Sequence, residues 1–245
     1  MNIIVCLSAV PDTTTKITFV DNNTKFNTDG VQFIINPYDE LALTKALELT
    51  EANGGEVTVV TVGDATVEPV IRKALAIGAH KAIRVNTTAQ DGMHAAQCIK
   101  DAVSGESYDI IFTGRESIDY NGGQVAGILS EMMDMSLVNV VTSVTVDGSS
   151  ITAVRDIDGG RETVTASMPC VLSAQKELCE PRIPNMRGIM QARTKPLSVV
   201  EPSGSYDATN YVGYELPAPK QGVKLIDPAN AGELIDLLRS EKKLL

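Results

Sequence analysis

A doubly wound, mainly parallel α/β fold with a hairpin extension and a C-terminal arm is what three features of the sequence predict. Short β-rich runs alternate with helical patterns from the N-terminus onward. One run, Glu56–Val62 (EVTVVTV), is almost solid with β-branched residues, as expected when helices cover both faces of a sheet. Strands separated by helices at this spacing need crossover connections, which makes the sheet parallel.

The elements follow in order. Asn2–Leu7 reads as the first strand. A helix is predicted over Pro37–Ala52: Asn36 can cap it, Pro37 suits its first position, and Leu41, Leu43, Ala46, Leu47 and Leu49 give it an apolar face. Gly54-Gly55 stops it before the Glu56–Val62 strand. A helix from about Val67 to Ile77 ends at Gly78, and Lys81–Val85 is the next strand. Gly92–Ser104 is helical, Asp109–Thr113 (DIIFT) is a buried strand, and a helix runs from about Gly122 to Met133. After Leu137 the pattern changes to strand and turn: Val140–Val146, Asp147-Gly148, Ile151–Asp156, Gly159-Gly160 and Glu162–Ser167, with Gly pairs that favour hairpins. From Cys179 onward Pro181, Pro184, Pro196, Pro202, Pro217 and Pro219 leave few ways to build a core. The expected division is therefore residues 1–178 as the α/β domain and 179–245 as a Pro-rich arm that needs a partner surface, ending in a helix from about Ala229 to Leu244.

Composition excludes several function classes. The 245 residues carry a net charge of −10, which argues against binding a phosphate backbone, so nucleic acid is not the expected partner. Six Tyr, four Phe and no Trp point to an aliphatic core and disfavour a stacking platform built by the chain itself. The cysteines Cys6, Cys98, Cys170 and Cys179 show no metal-ligand spacing, and His80 and His94 do not complete a catalytic set. The short apolar N-terminus lacks a basic leader and cannot span a bilayer, so a soluble, cytoplasmic protein is expected.

Ligands of such folds bind beyond the carboxyl ends of the strands, which directs attention to Ser8–Thr15, Gly63–Thr66 and Gly114–Gly123. The run from Gly114 to Ala126 follows a buried strand and opens a helix, whose first amides make an anion seat suited to phosphate. Gln124 adds an amide, and Asp119 can accept from a ribose hydroxyl. A plain strand-to-helix turn explains the same residues equally well. Small and hydroxylated residues in Ser8–Thr15 permit close ligand approach, or form an ST-rich turn. Asn36-Pro37 reads on local sequence as a helix cap. Exposed Met in Pro184–Met190 would suit recognition of several partners, buried Met the reverse. No nucleophile, base and orienting group come together, so chemistry by side chains is not expected.

VPDTTTKI, DGVQFIINPYDELAL, ALAIGAHKAI, the GRESID and GQVAG pair, RDIDGGRETV, CEPRIPNMRGIMQAR and AGELIDLL, in that order, resemble the β subunit of electron transfer flavoproteins over nearly the whole chain. The resemblance implies a Rossmann-like, adenine nucleotide α hydrolase-like domain in a heterodimer with an α subunit that holds most of an FAD. It also implies a structural AMP at Ala9, Asn36, Pro37, Gly63, Asp119, Gly123, Gln124, Val125 and Ala126. The stretch from Val10 to Thr13 would cover the flavin. Met186 and Arg187 would dock flavin dehydrogenases, such as the acyl-CoA dehydrogenases of fatty acid β-oxidation, with electrons passing on to a quinone oxidoreductase. Such a chain is an electron carrier rather than a stand-alone enzyme.

Departures from the family pattern keep alternatives open. Respiratory members usually have tyrosine where Thr13 stands, and a longer loop between Asp119 and Gly123. The short loop, Gln124-Val125, Glu131 and VPDT resemble bifurcating relatives, which oxidise NADH at a second FAD in the β subunit. RDIDGGRETV and EPR resemble the respiratory group. AMP is the reading taken, a second FAD the alternative, and a non-redox adenine-nucleotide-binding protein the rival from another class.

Overall fold

The computed structural model describes residues 1–204, 209–220 and 222–244. Its elements are β1 (Asn2–Cys6), β2 (Ala9–Pro11), β3 (Phe19–Val20), β4 (Lys25–Phe26), β5 (Phe33–Ile35), α1 (Pro37–Asn53), β6 (Glu56–Val62), α2 (Glu68–Ile77), β7 (Lys81–Val85), α3 (Gly92–Val103), β8 (Ile110–Gly114) and α4 (Val125–Met132). Then come β9 (Ser136–Asp147), β10 (Ser150–Ile157), β11 (Gly160–Ser167), β12 (Cys170–Ala174), α5 (Met186–Ala192), β13 (Leu197–Val200) and α6 (Ala231–Ser240). A nine-stranded sheet has the order β11-β10-β9-β12-β8-β1-β6-β7-β13, parallel from β9 to β13 and antiparallel through the β9–β10–β11 hairpins.

Strand alternation decides which layer each side chain joins. Ile3, Val5 and Leu7 pack on one face with Leu43, Leu47, Ile71 and Leu75 of α1 and α2. Ile4 and Cys6 point to the other face, with Ala96 and Ile99 of α3 and Leu129 of α4. In β8, Ile110 and Phe112 divide from Ile111 in the same way. This period of two, with apolar residues at every position, confirms the doubly wound prediction.

The structure adds two strands to the predicted sheet. β12, Cys170–Ala174, is buried at every residue between β8 and β9. β13 pairs with β7 at the opposite edge, so residues 197–200, assigned from sequence to the arm, complete the main sheet. Between them the chain crosses α1 and α2. Arg182 reaches Glu51 of α1 with Nη1 and Nη2 at 2.6 and 2.7 Å, and its backbone N–H donates to Thr44 Oγ1. β9 starts earlier than predicted and bends at Val140, whose φ of 61° is strained for a β-branched residue. The Val140 N–H donates to Ser173 Oγ in place of a ladder bond. That bend lets one strand serve the parallel sheet at Ser136–Val138 and the hairpin beyond. The terminal helix α6 is shorter than predicted and buries none of its residues. Among the described residues no helix is long and apolar enough to cross a membrane.

Candidate functional site

Strand order reverses at β1: the chain runs outward through β6 and β7, then returns to set β8 on the other side of β1. At this reversal lies a cavity of about 300 Å³, bounded by Cys6–Ala9 at the end of β1, Thr113–Ser117 at the end of β8, and Gly122–Ala126 at the start of α4. Ligands of open α/β sheets sit at such a switch point. The start of α4 has no side-chain cap, and Gln124, Val125 and Ala126 all line the cavity. Unpaired amides and the positive end of a helix dipole are thereby available to an anion. Arg115 is the only Lys or Arg among the described residues of the lining.

A buried pair at the start of α1 ties the strand-end loops together. Asp39 Oδ2 accepts from the Ser8 N–H at 2.7 Å, and Oδ1 from the Gly114 N–H at 2.9 Å and from Asn36 Nδ2 at 3.0 Å. Asn36 Nδ2 also donates to the Glu116 carbonyl at 2.8 Å, and its Oδ1 accepts from the Ile118 N–H at 3.3 Å. The expected side-chain cap is therefore absent: Asn36 precedes the helix but turns its amide to the site loop. Burial pushes the Asp39 carboxyl up to about 7, although its N–H donors pull the other way. Gly114 is required beside it, because a Cβ there would lie 2.3 Å from Asp39 Oδ1 and 2.7 Å from Tyr38 Cβ.

A larger cavity of about 1090 Å³ lies alongside, lined by Pro11–Thr13, Phe19, Phe26, Phe33, Tyr38, Lys176 and Tyr214 among others. Asp119 and Tyr120 line both cavities. The larger one is the more apolar, but the strand ends and helix start that suit a phosphate belong to the smaller.

Residues 23–205 match the family model described as the electron transfer flavoprotein domain. The chain is 35% identical to the electron transfer flavoprotein subunit beta of Bacillus subtilis, over all of both chains. Identity to the protein of the same description in Syntrophomonas wolfei is 35%, over 93% of this chain and 90% of that one. With that of Dictyostelium discoideum it is 30%, over 96% and 97%. This chain belongs to the β-subunit family of electron transfer flavoproteins.

The positions singled out by the family resemblance separate into three places. Ala9, Asn36, Asp119, Gly123, Gln124, Val125 and Ala126 line the small cavity. Thr13 and Pro37 line the large one. Val10 is wholly buried in β2, and Gly63 lines neither cavity. Gly63 donates its N–H to the Val85 carbonyl and accepts from Arg84 Nη1, while a Cβ on it would lie 2.6 Å from Val67 Cγ1. Its role in the fold is close packing against the turn that starts α2.

Met186 and Arg187 open α5, with Asn185 capping through its bond from the Gly188 N–H. Met186 is 75% exposed and Met190 70%, so these methionines are not core residues. The helix is seated on α2 by two reciprocal cation caps. Arg72 donates to the Ala192 and Lys195 carbonyls, and Lys195 Nζ donates to those of Leu75, Gly78 and Ala79. Gly188 meets the Ala76 carbonyl so closely that a Cβ would lie 2.3 Å from it.

Sequence reasoning missed Asp39 and Tyr211 of the small cavity, and gave no role to Tyr120 within the Gly114–Ala126 run it singled out. The signal for Asp39 was its place four residues before Leu43, a carboxylate on the apolar face of α1. Local sequence carries no corresponding signal for Tyr211, which approaches the cavity from the C-terminal segment.

Proposed function

We propose that this chain is the β subunit of a heterodimeric electron transfer flavoprotein that accepts electrons from flavin dehydrogenases, such as acyl-CoA dehydrogenases, and passes them to a quinone oxidoreductase. Family membership supports the electron-transfer role. FAD, when bound between this chain and the α subunit, supplies reversible one- and two-electron chemistry. The chain's part is to position and shield it, with Thr13 and the larger cavity facing the flavin and the α subunit. The exposed Met186–Met190 face docks the dehydrogenase.

AMP is the proposed occupant of the small cavity. The single observation that carries this is its size and donor set: about 300 Å³ is at the low end for small-molecule pockets. That suits one nucleotide better than a dinucleotide. The uncapped amides at the start of α4, with Arg115, would hold the phosphate, and Asp119 a ribose hydroxyl. The short Asp119–Gly123 loop favours the alternative, a bifurcating subunit with a second FAD. Nucleotide extraction from the denatured heterodimer tests both. One FAD and one AMP per heterodimer is the expected result; two FAD would overturn the AMP reading, and a colourless complex the flavoprotein reading.

A further inference from the structure

The chain has only six Tyr and four Phe, yet four of these rings form one ladder at the rim of the two cavities. Phe19 stacks on Tyr214 with centroids 4.8 Å apart, Tyr214 lies 5.8 Å from Tyr211, and Tyr211 lies 5.9 Å from Tyr120. Composition, which disfavoured a stacking platform of the chain's own, gave no sign that four of its ten Tyr and Phe rings would gather in one place. Its rings come from three separate parts of the sequence: β3, the C-terminal segment and the site loop.

The C-terminal segment is fastened at both ends. Thr209 Oγ1 donates to Asp91 Oδ2 at 2.8 Å, beside the start of α3, and the Tyr214 N–H donates to the Asn23 carbonyl at 2.7 Å, in the β3–β4 turn. Between these clips Tyr211 forms part of the small cavity's wall, and Asp91 lines the same cavity. Tyr120 and Tyr211 remain 59% and 44% exposed. They bury too little to be explained as core packing; Tyr211, held between Tyr214 and Tyr120, stays exposed at the wall of the small cavity, where an aromatic side chain can pack against a base.

We propose that residues 209–214 form a strap across the strand-end pocket, with Tyr211 the ring that retains the nucleobase and limits the occupant to a mononucleotide. This rests on the nucleotide reading above and deepens it. Tyr211 belongs to the wall of a cavity of about 300 Å³, so on this proposal a dinucleotide requires it to leave that wall. The clips make that movement local: breaking Thr209–Asp91 frees one end without disturbing any ring.

The test uses the purified heterodimer with its α partner. Exchange of bound nucleotide against labelled AMP is followed by rapid gel filtration for wild type, Tyr211→Ala, Tyr211→Phe and Thr209→Val. The expected result is exchange about ten-fold or more faster in Tyr211→Ala, the loss of one base-stacking ring. Thr209→Val should also be faster, Tyr211→Phe close to wild type, and flavin absorbance the same in all. Should Tyr211→Ala fail to assemble, Thr209→Val carries the test, because it keeps every ring. Wild type that holds AMP while both Tyr211→Ala and Thr209→Val exchange at its own rate overturns the strap alone. Wild type that yields no AMP on denaturation overturns the nucleotide reading and the strap with it.

Discussion

Replacing Asp39 by asparagine tests whether a buried, titrating carboxyl holds the strand-end loops. Burial raises its pKa from 3.8 to about 7. The folded chain therefore binds a proton that the unfolded chain has already released between those values. A group of this kind adds stability that is fully present below the unfolded pKa and is lost as pH rises through the folded one. The difference corresponds to about 4 kcal/mol, lost with rising pH at a slope of at most about 1.4 kcal/mol per pH unit. The asparagine side chain keeps the shape but cannot titrate. Urea denaturation of both proteins from about pH 4 to about pH 8 should show the wild type losing stability relative to Asp39→Asn as pH rises, by an amount of that order. The absolute offset between the two also contains the cost of turning one acceptor oxygen into a donor facing the Ser8 or Gly114 N–H, so the pH dependence is the diagnostic quantity. Parallel profiles would show that Asp39 does not titrate in this window and would refute the argument.

On the proposed function, other substitutions probe the same framework elsewhere. Gly114→Ala puts a methyl 2.3 Å from Asp39 Oδ1, so the purified heterodimer should retain less AMP, measured by extraction, even where it still assembles. Gly188→Ala drives a methyl against the Ala76 carbonyl, and calorimetry should record a loss of about 1–3 kcal/mol as α5 lifts from α2. Met186→Glu should slow reduction by a dehydrogenase partner while leaving flavin and AMP content unchanged, read by stopped-flow absorbance. If AMP fills the small cavity as proposed, its removal from the heterodimer should lower the melting temperature; ligand present at about 100 times its Kd restores about 2.7 kcal/mol.

The helices and the β-branched strands of the sheet were legible because their signals are local: Pro37 and Gly54 around α1, or EVTVVTV in β6. β12 and β13 were not. Cys170–Ala174 is a five-residue run directly after Pro169, with no periodicity to separate strand from buried helix. Leu197–Val200 lies among prolines and becomes a strand because β7 offers an unpaired edge, a fact about the assembled sheet. The site divides similarly. Gln124 and its neighbours were visible as a strand-to-helix turn, while Asp39 was obscured by the habit of acidic residues at helix starts. Tyr211 was obscured by distance, since the clip that brings it to the pocket joins Thr209 to Asp91 across 118 positions.

On the proposed reading, the shared wall gives a physical reason for an electron carrier to hold a nucleotide that performs no electron chemistry. Asp119 and Tyr120 line both cavities, and the loop that carries them is fixed by Asn36 at Glu116 and Ile118 and by the Ser117–Gly122 bridge. A ligand that orders this loop in the small cavity also orders the flavin side, where positional freedom would blur the separation and orientation of donor and acceptor. The entropy of fixing the wall is then met by AMP binding before a dehydrogenase arrives, rather than by the transient encounter with that partner. The aromatic ladder extends the same principle to the C-terminal segment, joining the loop through Tyr120 to the β3–β4 hairpin through Phe19. An aliphatic fold that concentrates so many of its few rings at this boundary has placed its stiffest side chains where the two ligands would come closest.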